Sequence, residues 1–200
     1  MSSSLFRSRI GSFALALVAF GATVPAFAAT DALVKPASVI VDHSLPKAQV
    51  AAQILAARRY DTFWTTGDEA LARTALSPAF IDRTLPPGRP QGIDGPLAAS
   101  KMVHAAIPDI HCDVEQMIVA GDRVVSHLHF TGHFTGMFKD VQGKGQPIDF
   151  IATDIYRVAD GRIAENWHLE DNLTLLQQLG CHCKVRIAIQ LETHHKESTS

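Results

Sequence analysis

The chain contains 200 residues, with 18 Lys and Arg against 20 Asp and Glu, a formal net charge of −2 and 46% hydrophobic residues. This composition is ordinary for a globular protein, and because no cluster of basic residues occurs, it predicts no nucleic-acid partner. Three cysteines are an odd number and do not describe a disulfide framework.

Residues 1–28 have the pattern of a secretory signal peptide. Arg7 and Arg9 supply positive charge, residues 13–20 form a short apolar run, and Ala26-Phe27-Ala28 places small residues at the positions read by a signal peptidase. The apolar run is too short to cross about 30 Å of hydrocarbon comfortably. We therefore expect cleavage before Ala29, a periplasmic or secreted mature protein, and no membrane attachment after cleavage, since no later segment is apolar enough to span a bilayer.

Residues 29–45 show no clear period and are predicted to be a linker. A helix is expected to begin at Pro46, which lacks only an N–H that the first turn leaves unpaired, and to end at Gly67. Its apolar residues share one face at helical spacing: Val50, Ile54, Ala57, Tyr60, Phe63 and Trp64. Asp68 is expected to cap a second, short helix that continues to Leu76.

A short strand, a loop and a third helix are predicted in the rest of the N-terminal half of the chain. Residues 80–84 are a short strand candidate, and residues 85–95 predict a loop because Gly and Pro are frequent there. A third helix follows and has Ala99, Met102, Val103 and Ala106 on one face before Pro108 ends it.

In the second half of the chain, the hydrophobic pattern has the period of two that is typical of strands. Four strands are predicted, at residues 110–119, 123–134, 148–158 and 162–168, and Asp160-Gly161 is typical of a tight hairpin turn. Sequential hairpins form an antiparallel sheet, and helices placed on one face of it give an α+β domain. We predict a curved antiparallel sheet with N-terminal helices forming a cone-shaped barrel around a pocket, over residues 46–180. A last short helix covers residues 173–179, and residues 181–200 are a polar, disordered tail.

The strand at residues 123–134 separates two kinds of side chain. His127, His129 and His133 lie on one face, and an apolar set that includes Leu128 and Phe130 lies on the other. The histidine face is either exposed to solvent or lines a polar cavity. Three histidines are unusual on a solvent face, so the alternation favours the cavity.

The final hairpin carries two acidic residues of interest. Asp154 falls within an apolar set, where a carboxylate is costly unless it is paired or functional. Asp171 follows the last strand and can cap the final helix, which is sufficient to explain it, although a cap at the mouth of a pocket can also act in catalysis. Trp167 and His168 point to opposite faces of the same strand.

The order of several short motifs resembles the SnoaL-like polyketide (ester) cyclases, which have the cone fold of nuclear-transport-factor-type proteins. The motifs span Tyr60 to Gly180: Tyr60-Asp61-Thr62-Phe63-Trp64, Gly92-Ile93-Asp94-Gly95, Ile107-Pro108-Asp109, Gly121-Asp122-Arg123, Tyr156-Arg157-Val158, Glu165-Asn166-Trp167 and Gln178-Leu179-Gly180. Each motif is weak alone, but the predicted turns and strands fall on the same boundaries. The chain departs from the family pattern at Gly132-His133-Phe134-Thr135-Gly136, where the histidine is displaced by one residue, and at Arg83, where the family often has His.

The resemblance implies a cofactor-free reaction on a small carbonyl compound, such as an aldol-type ring closure. A base removes a proton next to a carbonyl, and a donor stabilises the enolate oxygen. The candidate bases are Asp171 and Asp154, and the candidate acids or enolate donors are His129 and His168. The expected substrate-binding residues are His127, Tyr60, Trp64 and Trp167. No cofactor or metal is required.

Two other functions fit the same sequence. The domain could be a non-enzymatic module that binds a small molecule in the same pocket, in which case no carboxylate and imidazole would converge on one empty point. Alternatively, His127 and His129 have the strand spacing of a pair of metal ligands for metal-dependent hydrolysis, and His133 lies on the same face. The segment Cys181-His182-Cys183 supplies too few ligands for zinc and is assigned to the tail. A homodimer is possible because one broad sheet face is expected to stay uncovered.

Overall fold

The computed structural model describes residues 32–180, so the predicted leader (residues 1–28) and polar tail (residues 181–200) lie outside the described residues. The described chain forms four helices and eight strands. In order they are β1 (Ser38–Val41), α1 (Lys47–Thr66), α2 (Glu69–Ala75), β2 (Leu76–Asp82), α3 (Asp94–Ala106), β3 (His111–Ala120), β4 (Arg123–Phe134), β5 (Met137–Phe138), β6 (Val141–Gln142), β7 (Gln146–Ala159), β8 (Arg162–Glu170) and α4 (Asn172–Gln178). The predicted α+β class is confirmed. Of these four helices, none combines the length and the apolar character that a bilayer crossing requires.

Six strands form the main sheet, in the order β1-β3-β4-β7-β8-β2. The central pairs β3–β4, β4–β7 and β7–β8 are antiparallel, which confirms the predicted series of hairpins. The β7–β8 turn contains only Asp160 and Gly161, both with positive φ (51° and 70°), between the paired residues Ala159 and Arg162. Two consecutive left-handed residues match the right-handed twist of the strands, which explains the Asp-Gly sequence at this position.

The edges of the sheet differ from the prediction. β1 pairs in parallel with β3, and β2 pairs in parallel with β8, so the sheet is antiparallel only in its centre. Within residues 32–180 the two edge strands do not pair with each other, so the sheet is curved, as predicted, and is not closed into a barrel by its strands. Helices, rather than a closing strand, cover its inner face.

Two local predictions fail for physical reasons. The segment predicted as a linker, residues 29–45, includes β1; three of its four side chains are exposed, so no alternation reveals the strand. β2 covers Leu76–Asp82 and therefore begins four residues before the strand predicted at residues 80–84. Pro78 falls inside β2, and an edge strand tolerates it because its missing N–H removes no necessary ladder bond.

The inner face of the sheet and α1 form the core. Along β4, Val124, Ser126, Leu128, Phe130 and Phe134 are buried and face inward. α1 packs across this face through apolar residues of the predicted stripe, including the fully buried Phe63. As predicted, α1 ends at Gly67, which has a φ of 67° and donates its N–H to the Phe63 carbonyl at 2.8 Å. The packed end of α1 leaves a cleft between this helix, α3 and the sheet.

Candidate functional site

The cleft is partly open, and its volume is about 660 Å³ when the solvent at its mouth is included. Apolar walls come from the two helices and the sheet: Tyr60, Trp64, Pro96, Ala99, Val103, Phe130 and Phe150. Five polar side chains complete the lining: Asp82, Arg89, Asn166, His168 and Glu170. A mostly apolar cavity with a few polar groups is the usual form of a small-molecule site.

Strand β8 supplies three of the five polar residues. Asn166, His168 and Glu170 alternate along the strand, so all three face the cleft. The imidazole of His168 lies between two carboxylates: Nδ1 is 2.9 Å from Asp154 Oδ1, and Nε2 is 3.2 Å from Glu170 Oε2. The ring is therefore fixed in orientation, with its Nε2 edge on the cleft side.

The surroundings of His168 favour its charged form. Burial alone would lower its pKa, but the negative charge of Asp154, the hydrogen bond to Asp154 and the interactions with Glu170 outweigh burial and raise the pKa to about 10. At neutral pH His168 is consequently an imidazolium ion with N–H groups on both ring nitrogens. It is suited to donate a proton or a hydrogen bond to an oxygen in the cleft.

Asp154 lies behind His168 rather than in the wall of the cleft. Its side chain is 1% exposed and contacts three donors: Asn166 Nδ2 at 2.7 Å, His168 Nδ1 at 2.9 Å and Tyr156 Oη at 3.2 Å. Asp154 and His168 are direct cross-strand neighbours on β7 and β8. The sequence placed Asp154 in an apolar set correctly, but the expected contact with substrate is wrong, because His168 and Asn166 lie in front of it.

The mouth of the cleft carries both signs of charge. Asp82 ends β2 and is tied to the following loop, since its backbone N–H donates to Gln91 Oε1 at 2.7 Å and its carboxylate accepts from Thr84 N at 2.8 Å. Arg89, in the same loop, extends along the start of α3. The Cγ atom of Arg89 lies 3.5 Å from the position that a Cβ atom on Gly95 would occupy, so the side chain passes close to the first turn of α3.

Among residues 32–180, the guanidinium of Arg89 forms no hydrogen bond or ion pair. The arginines of this region that form ion pairs are Arg73, Arg83, Arg123 and Arg157. Because a guanidinium stays charged at all relevant pH values, it is available to an anionic or carbonyl group of a ligand.

The predicted wall residues are divided between the two faces of the sheet. Tyr60 and Trp64 lie in the wall of the cleft, where their rings are 5.8 Å apart in an edge-on arrangement. Trp167, predicted as a third wall residue, lies on the outer face instead, with the guanidinium of Arg123 over its ring at 5.4 Å. The prediction for Trp167 is wrong because the alternation of β8 directs His168, and not Trp167, inward.

The histidines of β4 lie outside the cleft, so the expectation that they line it is wrong. Because the apolar set with Leu128 faces α1, the alternation sends His127 and His129 to the outer face. There His127 Nδ1 is 2.9 Å from Thr153 Oγ1, and His129 Nε2 is 2.9 Å from Asp149 Oδ1. They cannot reach a molecule bound in the cleft as acids, donors or binding residues.

Asp171 acts as a helix cap. Its carboxylate accepts from the Thr174 N–H at 3.1 Å and from the Thr174 hydroxyl at 2.7 Å, and these bonds hold its pKa below the usual range. The residue is exposed and does not line the cleft. Its expected role as a base is therefore not supported by its position, because the cap geometry turns the carboxylate toward the backbone of α4.

Sequence reasoning did not identify Glu170, Arg89 and Asp82. Glu170 follows His168 by two residues, so the strand period that placed His168 inward also predicts Glu170 on the same face. Asp82 is the last residue of β2 and Arg89 lies in the loop that follows, where side chains do not alternate regularly between two faces. Among the described residues, no group of three or more His, Cys, Asp or Glu side chains is arranged to hold a metal ion.

Comparisons with known proteins agree with this architecture. Residues 54–179 match the sequence model of the family described as SnoaL-like polyketide cyclase. The chain is similar to a solved protein assigned as a polyketide cyclase from Bacillus cereus ATCC 10987, with 43% identity, coverage of 75% of this chain and 95% of that chain, and a TM-score of 0.67.

Two Streptomyces structures are more distant. IdmH from Streptomyces antibioticus, also assigned as a polyketide cyclase, is 27% identical over 64% of this chain and 98% of that chain, with a TM-score of 0.58. TsrD from Streptomyces laurentii is 25% identical over 68% of this chain and 98% of that chain, with a TM-score of 0.59. No protein with a curated description matches the chain significantly.

Proposed function

Because the chain belongs to the SnoaL-like polyketide cyclase family, we propose that it catalyses cofactor-free proton transfer next to a carbonyl group, in an aldol-type ring closure or a related isomerisation. The observation that supports this proposal is the position of His168 in the lining of the cleft, where buried Asp154 pairs with Nδ1 and Glu170, also in the lining, pairs with Nε2. The family alone does not define the substrate.

His168 and Glu170 divide the acid and base roles. The imidazolium of His168 donates to the carbonyl oxygen on which negative charge develops, so the enolate forms next to a fixed positive charge. Glu170, whose carboxylate faces the same cleft, removes the proton from the adjacent carbon. Asp154 acts through His168 by fixing the ring and stabilising its charge. The aromatic walls formed by Tyr60 and Trp64 exclude water from an aromatic or polyketone substrate.

Arg89 is the candidate anchor for the remote end of the substrate. Its unpaired guanidinium at the mouth suits a carboxylate or a polarised carbonyl. Asp82 and Glu170, the two carboxylates of the lining, disfavour an anion elsewhere in the cleft, so they restrict where the charged end can lie.

The direct test measures deuterium incorporation from D₂O into the carbon next to the carbonyl of aromatic β-polyketone methyl esters, together with ring closure by mass spectrometry. We expect turnover by the wild-type protein and a loss of about 100-fold or more in His168→Gln and Glu170→Gln. His133→Gln is the matched control, since His133 is an exposed histidine paired with Asp109 at 2.7 Å. Ligand binding without any exchange would instead favour the non-enzymatic module.

We also infer that two copies associate through the outer face of the sheet. Apolar residues cluster there on neighbouring positions of β7 and β8: Ile151 (45% exposed), Ile155 (37%) and Leu169 (71%). Such a patch is characteristic of an interaction surface. Light scattering is expected to give the mass of a dimer for the wild type and of a monomer for Leu169→Lys.

Export of the protein is a separate proposal and rests on the pattern of residues 1–28. Expression of the full chain in a bacterium with a secretory pathway is expected to yield a mature protein that begins at Ala29 in the periplasm or medium. Intact-mass measurement of the recovered protein distinguishes this product from an uncleaved cytoplasmic chain.

A further inference from the structure

A second buried carboxylate lies beneath the cleft and has no role in the chemistry described so far. Asp61, on α1, is 0% exposed, and its Oδ1 is 2.7 Å from Tyr156 Oη while its Oδ2 is 3.0 Å from Ser126 Oγ. No Lys, Arg or His of the described residues forms an ion pair with it. An ionised carboxylate without a cation is expensive in such a site, so its protonation state has to be established from its hydrogen bonds.

Counting protons indicates which carboxyl group is neutral. Tyr156 Oη contacts Asp61 Oδ1 at 2.7 Å and Asp154 Oδ2 at 3.2 Å, but a phenol has only one hydrogen to donate. Asp154 also accepts from Asn166 and His168, which stabilise it as the anion. A proton on Asp61 Oδ1 then completes the arrangement: Asp61 donates to Tyr156, and Tyr156 donates to Asp154.

The electrostatic surroundings agree with this count. Burial raises the pKa of Asp61 to about 8, against the opposing hydrogen bond from Tyr156 and with a further increase from the charge of Asp154. The other titratable groups that face the cluster are Tyr60 on α1 and Cys112 on β3. Burial raises the pKa of both well above their usual values, so they stay neutral.

We propose that Asp61 is a positioning residue that stores a proton and, through Tyr156, sets the charge on Asp154 behind His168. This inference rests on the proposed acid role of His168. In the step, the Asp61 proton moves to Tyr156 Oη while the phenol proton moves to Asp154 Oδ2. One proton is transferred overall, and no co-reactant is needed. The negative charge moves from Asp154 to Asp61, where the hydroxyl groups of Tyr156 and Ser126 both donate to it and offset part of the cost of ionisation.

The step changes the strength of His168 as an acid. With Asp154 ionised, the imidazolium holds its proton strongly. Once Asp154 is protonated, His168 loses its adjacent counter-ion and releases its Nε2 proton to the substrate oxygen more readily. Return of the stored proton to Asp61 restores the anion and draws a proton back to His168.

The variants Asp61→Asn and Tyr156→Phe distinguish a role of these residues in proton storage from a role in packing the core. Asn is isosteric with the neutral acid and still donates to Tyr156, but it cannot release a proton, whereas Phe interrupts the path and preserves the ring. We expect both variants to fold with melting temperatures close to that of the wild type or moderately lower. For the proposed reaction, kcat is expected to fall about tenfold to a hundredfold at little change in KM. Asp109→Asn, the same chemical change at an exposed site, is the matched control.

Carbon-13 NMR of protein labelled at aspartate Cγ tests the proposal without any substrate, with Asp61 assigned from its absence in Asp61→Asn. We expect Asp61 to titrate near pH 8, and the His168 ring signals to show an inflection at the same pH that disappears in both variants. The proposal would be overturned if Asp61 were ionised at neutral pH. It would also be overturned if the His168 signals showed no inflection at the pH where Asp61 titrates. Failure of the wild type to act on polyketone esters would instead count against the proposed function, because the titration is independent of turnover.

Discussion

The Nδ1 atom of His168 lies 2.9 Å from Oδ1 of Asp154 across the β7–β8 pair, and Asp154 is almost completely buried beneath it. An imidazole held in this way has a fixed orientation and a stabilised positive charge. Through this pair, β8 holds a charged imidazole in the lining of the cleft. The pair is expected to affect both stability and activity.

The free energy of unfolding is expected to fall as the pH rises from about 6.5 to about 10. The pKa of His168 is raised from 6.5 to about 10, so the folded protein holds a proton that the unfolded chain releases first. The stabilisation is complete below pH 6.5 and disappears by pH 10, with a size of the order of a few kcal/mol. Urea denaturation at a series of pH values measures it.

Asp61 contributes to the same decline of stability with rising pH, but in a lower pH range. Its pKa is raised from 3.8 to about 8, so the folded state again binds the additional proton and stability declines with pH between these values. Asp61→Asn is expected to remove this component and leave the component above pH 8. Asp154→Asn should flatten the curve above pH 6.5, because His168 loses its main charge partner. A wild-type curve that rises between pH 6.5 and 10 contradicts both assignments.

Arg89→Met is expected to change the preference for charged substrates. Because the Arg89 guanidinium has no partner among the described residues, it can pair with a substrate carboxylate. The wild-type protein should bind an aromatic polyketone acid about tenfold more tightly than its methyl ester, and the variant should bind both equally. Calorimetric titration of the two ligands provides the measurement, and an equal preference in the wild type argues against the anchor.

Asp171→Ala should lower the melting temperature, because the cap of α4 is lost, while turnover is unchanged. The Asp171 carboxylate accepts two hydrogen bonds from Thr174 at the start of α4 and does not line the cleft. The sequence suggested a base at this position, so the variant discriminates directly between the two roles. A large loss of kcat with a normal melting temperature would restore Asp171 as a catalytic candidate.

Gly136→Ala is expected to destabilise the fold by about 3 kcal/mol or more. A Cβ at this position would lie 1.8 Å from the Ala105 carbonyl oxygen, at the end of α3, so the backbone would have to separate. Since α3 forms one wall of the cleft, ligand affinity should fall as well. Gly145→Ala is the comparison, because a Cβ there meets no atom within 4 Å and costs only the strain of its positive φ of 84°.

The sequence predicted the fold well where local pattern and burial coincide. The stripe on α1, the hairpin turn at Asp160-Gly161 and the period of two along β4 each follow from backbone geometry and the burial of apolar side chains. The edge strand β1 was missed and β2 was located only at its end, because exposed edge residues carry little alternation. The parallel pairing of both edge strands was not predicted either, since it joins segments that are distant in the sequence.

The candidate site shows a similar division. From the sequence alone, the period of two determined that His127 and His129 share one face of β4, and that Trp167 and His168 occupy opposite faces of β8. Which of the two faces turns toward the cleft was decided only by the tertiary structure, through the packing of α1 against the apolar face of β4. The physical reason is that a strand's alternation fixes relative orientation, whereas the absolute side depends on where the chain buries its apolar surface. The same packing brings Asp61 from a helix to Tyr156 and Asp154 of a strand more than 90 positions away, a contact that no local pattern contains.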